Sequence, residues 1–198
     1  MARPDLTGIL LVGGASRRFG SPKALALLDG QTLAERAWET LGKACGERVA
    51  VGKRFDRLEL PFPIRDDGSQ IRAALAGIVA GLRSARTDRC VVLPVDTPLV
   101  PPQLLLDLAD ACADTAATQT GPLPAAFRRR ALPVLERRLA EGSFRLEDAL
   151  TELETRRIEA DPALLANINT HEELYALERR TASASSSSSA PLRARPTR

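Results

Sequence analysis

Short apolar runs alternate with amphipathic segments through the first half of this chain. The apolar runs predict strands at residues 7–12, 48–51, 61–64 and 90–95. Between them, apolar residues spaced three and four positions apart predict helices at residues 31–44, 70–85 and 101–113. Strands that alternate with helices form a parallel sheet with both faces covered. The pattern therefore predicts the α/β class: a single three-layer domain, with a mostly parallel sheet and helices on both faces.

Local signals mark where several of these elements begin. Thr32, followed by Glu35 at the capping-box position, predicts a helix start, and two prolines suit the first turn of helix 101–113. The second half of the chain is less regular. Its predicted extended segments are residues 122–127 and 157–160, and its predicted helices are residues 128–140, 146–153 and about 170–180.

Charge divides the chain into a globular part and a tail. The net charge is +3, but residues 179–198 contain five arginines, no acidic residue and a run of serines. Such a segment has too little apolar surface to form a core, which predicts a domain at residues 1–178 and a disordered Arg/Ser-rich tail at 179–198. The tail either contacts RNA or anionic lipid, or is simply solvated. The globular part has no basic stripe with interleaved aromatic residues, so we expect no nucleic-acid partner.

The sequence indicates neither a membrane nor an oxidising compartment. Its longest apolar runs are far too short to span a bilayer, and its first residues lack the apolar stretch of an export signal. Cys45, Cys90 and Cys112 are odd in number and widely spaced, which is typical of neither a metal site nor a disulfide framework. We therefore expect a cytoplasmic protein with no membrane partner and with reduced cysteines.

A glycine-rich run separates the first predicted strand from the first predicted helix. It reads Gly13-Gly14-Ala15-Ser16-Arg17-Arg18-Phe19-Gly20-Ser21-Pro22-Lys23. Glycines let backbone N–H groups approach an anion closely, and the three cations can neutralise it, so the run predicts a polyphosphate site. A plain turn with solvated cations is the alternative. The spacing matches neither a Walker A loop nor a G-x-G-x-x-G fingerprint, and Pro22 favours an extended segment at Lys23.

Other polar residues are expected at the same edge of the sheet, because ligands bind beyond the carboxyl ends of parallel strands. Asp96 follows strand 90–95, where its carboxylate would hold Mg²⁺ on nucleotide phosphates or would cap the turn before Pro98. Lys23 would neutralise the charge that grows as pyrophosphate departs, or would be a solvated loop lysine. Asp66 follows the segment at 61–64, where a solvated turn is the alternative reading.

Two asparagines lie close to the predicted start of the last helix. Asn167 and Asn169 are two residues apart, so in an extended segment both amides project to one side. Paired amides suit hydrogen bonds to the polar edge of a heterocycle or to phosphate. Local turn and capping chemistry, with Thr170 as the N-cap, is the alternative.

Three of these segments together resemble the molybdenum cofactor guanylyltransferases, members of the nucleotidyltransferase superfamily. The matching motifs are Leu11-Val12-Gly13-Gly14-x-Ser16-x-Arg18-Phe19-Gly20-x-x-Lys23-Ala24, Pro94-Val95-Asp96-Thr97-Pro98 and Asn167-Ile168-Asn169-Thr170. They occur in the family's order and extend over most of residues 6–178. The resemblance implies a Rossmann-like nucleotidyltransferase fold and makes residues 1–178 a nucleotidyltransferase domain.

The resemblance also implies roles for individual residues. Lys23 and Asp96 would be catalytic, with Asp96 holding the cofactor Mg²⁺. The nucleotide-binding residues it implies are Leu11, Val12, Gly13, Gly14, Arg18, Lys23, Asp66 and Asp96. Asn167 and Asn169 would bind the acceptor.

The activity implied by the resemblance is Mg²⁺-dependent transfer of GMP from GTP to the terminal phosphate of molybdenum-molybdopterin, with release of pyrophosphate. Its partners would be GTP, a molybdopterin-type acceptor and molybdoenzyme maturation proteins, and the chain would be a monomer or weak oligomer. Gly13-Gly14 resembles the guanylyl branch, whereas Ala73-Ala74 stands where relatives commonly have Gly-Pro, and Pro22 replaces an acidic residue. The alternatives are cytidylyl transfer to molybdopterin, nucleotidyl transfer to a sugar phosphate, or a non-catalytic nucleotide-binding protein.

Overall fold

The computed structural model describes residues 1–13 and 19–187. Its strands are β1 (Arg3–Leu11), β2 (Leu27–Leu28), β3 (Gln31–Thr32), β4 (Cys45–Gly52), β5 (Ile64–Asp66), β6 (Arg89–Pro94), β7 (Thr115–Thr118), β8 (Gly121–Arg128) and β9 (Thr155–Ile158). Its α-helices are α1 (Leu33–Ala44), α2 (Ala74–Ser84), α3 (Pro102–Ala111), α4 (Leu132–Ala140), α5 (Leu146–Thr151) and α6 (His171–Ser187). Turns of 3₁₀ helix lie at Lys23–Leu25, Arg54–Asp56, Arg129–Ala131 and Pro162–Leu165.

Seven of the strands form one sheet in the order β5-β4-β1-β6-β8-β7-β9. The neighbours β5, β4, β1 and β6 are parallel, and β9 is parallel to β7. Only β8 runs against its neighbours β6 and β7 within this sheet. The predicted α/β class with a mostly parallel sheet is confirmed.

Successive residues of β1 pack on opposite faces of the sheet. Leu10 belongs to an apolar cluster with buried residues of α1, α3 and α6. Ile9 and Leu11 belong to a second cluster with buried residues of α2, α4 and α5. Because side chains of a strand alternate between faces, a strand that is apolar at every position must be covered on both. The three predicted layers, with helices on both faces of the sheet, are therefore present.

Several element boundaries differ from the predictions. Strand β7 was not predicted, because its two threonines and two alanines give no apolar run although all four residues are buried. The helix predicted from residue 128 begins at Leu132, since Arg128 ends β8 and donates to Asp88 at 2.7 Å. The helix predicted from residue 70 begins at Ala74.

The last helix crosses the predicted domain boundary. α6 runs from His171 to Ser187, so the predicted start of the tail at residue 179 falls inside a helix. Residues 188–198 lie outside the described residues. No helix in the described ranges has both the length and the apolar character of a membrane span.

The capping box predicted at the start of α1 is present. Thr32 Oγ1 accepts a hydrogen bond from Glu35 N at 3.1 Å, and Glu35 Oε2 accepts one from Thr32 N at 3.0 Å. Replacing Thr32 by alanine leaves the N–H of Glu35 without its acceptor, so we expect the free energy of unfolding to fall by about 1 kcal/mol. Urea denaturation followed by circular dichroism measures this loss. Glu39→Gln, an exposed change on the same helix, is the control and is expected to stay within about 0.5 kcal/mol; equal losses in both variants would contradict the prediction.

Candidate active site

A cavity of about 580 Å³ opens at the carboxyl ends of β1, β4 and β6. On one side it is lined by these strand ends and by the start of α2: Leu11, Val12, Gly13, Val51, Gly52, Ala73, Ala74, Gly77, Pro94, Val95 and Asp96. On the other side it is lined by Thr120, Gly121, Pro122, Leu123, Pro162, Leu165 and Asn167. This is the edge at which open parallel sheets bind their ligands.

Lys23 and Asp96 meet at the rim of this cavity. Lys23 Nζ lies 3.5 Å from Asp96 Oδ2, and the two side chains are 13% and 31% exposed. The ends of β1 and β6, which precede these two residues in the chain, are joined directly, because Val95 N donates to Leu11 O at 3.3 Å. The predicted convergence of the two strand ends on one edge of the sheet is therefore confirmed.

The local backbone at Lys23 differs from the prediction. Pro22 has an extended conformation, with φ −59° and ψ 111°, but Lys23 begins a turn of 3₁₀ helix that ends at Leu25. A proline restricts the residue before it, here Ser21, and leaves the residue after it free to turn. Leu25 N donates to Pro22 O at 3.0 Å, and this turn directs Lys23 towards Asp96.

The two asparagines occupy different positions. Asn167 lines the cavity, whereas Asn169 Oδ1 accepts a hydrogen bond from Lys23 Nζ at 3.1 Å. Between them, Ile168 is buried and its N–H donates to Asp96 O at 2.8 Å. The segment is therefore attached both to the end of β6 and to Lys23. Asn169 thus contacts the ammonium of Lys23, and its role in binding the acceptor stays a prediction.

The start of α6 fixes this asparagine segment. Glu173 Oε2 accepts hydrogen bonds from Asn169 N at 2.5 Å and from Thr170 N at 3.1 Å. Thr170 Oγ1 in turn accepts one from Glu173 N at 3.2 Å. The expected capping role of Thr170 is thus present in the same segment that supplies Asn167 to the cavity.

The remaining predicted nucleotide-binding residues fall into three groups. Leu11, Val12 and Gly13 line the cavity. Gly14 and Arg18 lie outside the described residues. Asp66 is exposed, its Oδ1 accepts a hydrogen bond from Gly68 N at 3.0 Å, and it does not line the cavity. Asp66 thus makes the contact expected of a solvated turn, which was the alternative interpretation. The role of Asp66 in nucleotide binding stays a prediction.

Two cavity residues were missed by the sequence reasoning. Lys53 and Asp67 both line the cavity and form an ion pair of 2.7 Å between Nζ and Oδ2, with each side chain only 4% exposed. No motif marks them, because their pairing joins a strand end to a loop fourteen residues later. Lys53 follows directly after β4, as Asp96 follows β6. It therefore also lies beyond the carboxyl end of a parallel strand, where ligands bind.

The cysteines take no part in this site. All three are buried. Burial raises the pKa of the Cys45 and Cys90 thiols to about 12 and that of Cys112 to about 11. They are therefore neutral thiols near pH 7 and are not available as nucleophiles.

Asp96 is the carboxylate that could hold a metal ion at the rim. Over the described ranges of the chain, no cluster of three or more His, Cys, Asp or Glu side chains has the arrangement of a metal site. A single rim carboxylate suits Mg²⁺ better than zinc, because Mg²⁺ is commonly bound by one or two carboxylates together with water and substrate phosphates. The donor set thus fits a magnesium ion that is completed by a phosphorylated substrate.

Comparison with known proteins decides the family. The sequence profile of the MobA-like NTP transferase domain matches residues 8–156. The chain belongs to this family. The molybdenum cofactor guanylyltransferase of Desulfosudis oleivorans is 34% identical over 190 residues, which cover 87% of this chain and 94% of that protein. The probable molybdenum cofactor guanylyltransferase of Bacillus subtilis is 33% identical over 195 residues, again covering 87% of this chain and 94% of the relative.

Solved structures agree with this assignment to the MobA-like family. Molybdopterin-guanine dinucleotide biosynthesis protein A of Archaeoglobus fulgidus superposes with a TM-score of 0.76 at 26% identity, covering 89% of this chain and 99% of that one. A nucleotidyl transferase from Methanothermobacter superposes with a TM-score of 0.73, and at 18% identity it supports the fold alone. The resemblance to molybdenum cofactor guanylyltransferases and the nucleotidyltransferase fold are confirmed. This MobA-like protein is a nucleotidyltransferase.

Proposed function

We propose that this enzyme transfers GMP from GTP to the terminal phosphate of molybdenum-molybdopterin, releases pyrophosphate and depends on Mg²⁺. The observation that carries the proposal is the cation–carboxylate pair of Lys23 and Asp96 at the rim of a cavity that begins at the glycine-rich loop. The choice of GTP and molybdopterin is supported by the names of the relatives, which are molybdenum cofactor guanylyltransferases.

The nucleotide would occupy the side of the cavity formed by the end of β1. Leu11, Val12 and Gly13 would contact it mainly through their backbones, and Gly14 and Arg18 would continue the contact along the loop. Gly13 lies against the end of β4, where a Cβ on it would be in ordinary van der Waals contact with Gly52 Cα at 3.4 Å. The acceptor would lie towards Asn167, between the start of β8 and the turn at Pro162–Leu165.

The proposed reaction needs no protein nucleophile. A terminal phosphate oxygen of the acceptor forms a bond to the α-phosphorus, and the bond from that phosphorus to the oxygen bridging to the β-phosphate breaks. The electron pair leaves with pyrophosphate, so the step is balanced without transfer of a proton. Because little covalent chemistry is left to the protein, positioning and charge neutralisation supply the catalysis.

Lys23 would neutralise the charge that accumulates on the departing pyrophosphate. Its ammonium is held by Asn169 Oδ1 at 3.1 Å and by Asp96 Oδ2 at 3.5 Å, so little reorganisation is needed during the step. Asp96 would hold Mg²⁺, which when bound would neutralise phosphate charge and orient the phosphates for in-line attack. Asn167 would orient the acceptor by hydrogen bonds.

Pyrophosphate release tests the proposal directly. We expect release with GTP, molybdenum-molybdopterin and Mg²⁺ together, and none when EDTA removes the metal or when either substrate is omitted. Thermal shifts with GTP, CTP, UTP and ATP at equal concentration in the presence of Mg²⁺ should rank GTP first, because at a given concentration the ligand with the lowest Kd stabilises the fold most. Failure of GTP to support turnover, with the acceptor present, would contradict the proposal.

A second candidate keeps the chemistry but changes the base or the acceptor. Ala73 and Ala74 line the cavity where relatives commonly have Gly-Pro, so this part of the nucleotide site departs from the family pattern. Pyrophosphate release with CTP and molybdopterin, or with a sugar phosphate as acceptor, would favour this candidate over guanylyl transfer.

A further inference from the structure

The ammonium of Lys53 donates all of its hydrogen bonds to one short segment of the chain. Lys53 Nζ donates to Asp67 Oδ1 at 2.8 Å, to Ser69 O at 2.7 Å and to Ile71 O at 2.5 Å. A lysine ammonium has three N–H donors, and these three residues supply three acceptors. Lys53 lies just after β4, so it connects the sheet to residues 67–71 of the chain.

Other contacts hold this segment at its two ends: Asp67 bonds to β4, and Arg72, the residue that follows it, pairs with Asp56 at 2.6 Å and lies over the Phe55 ring. The segment lies between β5 and α2 and contains no regular secondary structure. Ser69 N donates to Asp67 Oδ1 at 2.9 Å and Ile71 N donates to Ser69 Oγ at 3.0 Å, both within the segment itself. Asp67 N donates to Gly52 O at 3.1 Å, which fixes only its first residue. Between these two ends, the hydrogen bonds from Lys53 Nζ to Ser69 O and Ile71 O connect the segment to the end of β4.

The same segment forms part of the cavity. Lys53, Asp67 and Arg72 line it, directly before Ala73 and the start of α2. A Cβ built on Gly13 would lie 3.6 Å from Lys53 N, so the backbone of Lys53 borders the beginning of the glycine-rich loop. Lys53 therefore connects the loop proposed to bind phosphates with the cavity wall beside it.

Stability alone does not account for this buried pair. Removing two charges from water is costly, and apolar residues of similar size are often at least as stabilising as a buried ion pair. What distinguishes the Lys53–Asp67 pair is its place, since it orders an irregular segment that lines the cavity. Order in that segment matters to a ligand, because a preformed wall lowers the entropy lost on binding.

We propose that Lys53 is a positioning residue that holds residues 67–71 as a wall of the nucleotide site and thereby sets the affinity for the nucleotide. The inference rests on the proposed function for the identity of that nucleotide. Because the three donors of Lys53 are used by this segment, we expect Lys53 to contact none of the reacting atoms. Its loss should therefore raise the KM for GTP and leave kcat little changed, whereas loss of Lys23 or Asp96 lowers kcat.

Three variants of the full chain test this inference. Lys53→Met removes the donor but leaves the Asp67 carboxylate buried without its cation, which destabilises the fold. The double variant K53M/D67N removes both charges and keeps an acceptor for Ser69 N, so it loses only the contacts made by Lys53. Lys43→Met, an exposed lysine on α1, is the matched control.

Trypsin cleavage after Arg72 reports on the segment without any need for activity. In the native protein under folding conditions, we expect the fragment that ends at Arg72 to appear about tenfold faster in K53M/D67N than in the wild type or in K43M, because local opening exposes the bond. In the pyrophosphate assay, the same variant should raise the KM for GTP about tenfold, as expected for lost charge-assisted hydrogen bonds, and change kcat less than about twofold.

Two results would overturn the inference. One is a folded K53M/D67N variant whose rate of cleavage at Arg72 and whose KM both equal those of the wild type. The other is a fall in kcat at unchanged KM, which would place Lys53 in the chemical step. A wild-type enzyme without GTP turnover would instead refute the proposed function, and with it the link to affinity, while the cleavage comparison would still decide whether Lys53 holds the segment.

Discussion

Asp96→Asn is expected to lower the kcat of pyrophosphate release by about a hundredfold to a thousandfold, the largest loss we expect from any single change in this enzyme. Asparagine keeps the size of the side chain but removes the charge at the rim that would hold Mg²⁺. Asp96 is also the single carboxylate that lies within ion-pair distance of Lys23 among the pairs that the structure describes. Steady-state rates at saturating GTP and acceptor, measured across a range of Mg²⁺ concentrations, give the loss directly.

The fold should survive this substitution. The Asp96–Lys23 pair is partly exposed, and such pairs contribute about 1 kcal/mol or less to the free energy of unfolding. The contact that joins residue 96 to the asparagine segment is the hydrogen bond from Ile168 N to its backbone oxygen, which asparagine retains.

Asp88→Asn is the matched control for Asp96→Asn. Asp88 lies just before β6, at the opposite end of the strand that leads to Asp96, and its carboxylate pairs with Arg128 at 2.7 Å on the surface. The same chemical change there should leave kcat unaltered. A D96N enzyme with the turnover of D88N would remove Asp96 from the mechanism.

Lys23→Met should produce the second largest effect, a fall in kcat of about a hundredfold. Methionine preserves the aliphatic length but leaves Asn169 Oδ1 and Asp96 Oδ2 without the ammonium that lies between them. The charge developing on the leaving pyrophosphate would then lose one of its partners. Because the loss acts mainly on the transition state, kcat and kcat/KM should fall together.

Two further variants show whether the loss in Lys23→Met is due to the missing charge. Lys23→Arg restores the charge but with a planar, larger group, so it should recover only part of the rate. Lys43→Met, the exposed control on α1, should keep the wild-type kcat. An increase in KM alone in the K23M enzyme would show that Lys23 binds the ground state and does not act in the chemical step.

The start of α2 was predicted too early because contacts with a distant part of the chain determine where the helix begins. Apolar spacing predicted a helix from residue 70, and Ile71 fits that spacing. In the structure the carbonyl oxygens of Ser69 and Ile71 accept hydrogen bonds from Lys53 Nζ, so the helix begins only at Ala74. Local periodicity contains no information about a donor that lies on another element.

Strand β7 illustrates a different failure. Thr115 and Thr118 are fully buried, and the strand pairs with β8 on one side and β9 on the other. Threonine and alanine are too weakly apolar to mark a buried strand, and its place in the sheet depends on the reversal of direction at β8. Neither property can be derived from a window of a few residues.

The sequence by itself determined the fold class and the centre of the candidate site. Fully apolar strands followed by amphipathic helices permit few arrangements other than a covered parallel sheet, and that sheet brings the glycine-rich loop and Asp96 to one edge. Only the tertiary structure decided which side chains pair there: Lys23 with Asn169 and Asp96, and Lys53 with Asp67. These pairs join residues that are far apart in the chain, and their formation depends on backbone turns and burial that arise only when the whole domain has packed.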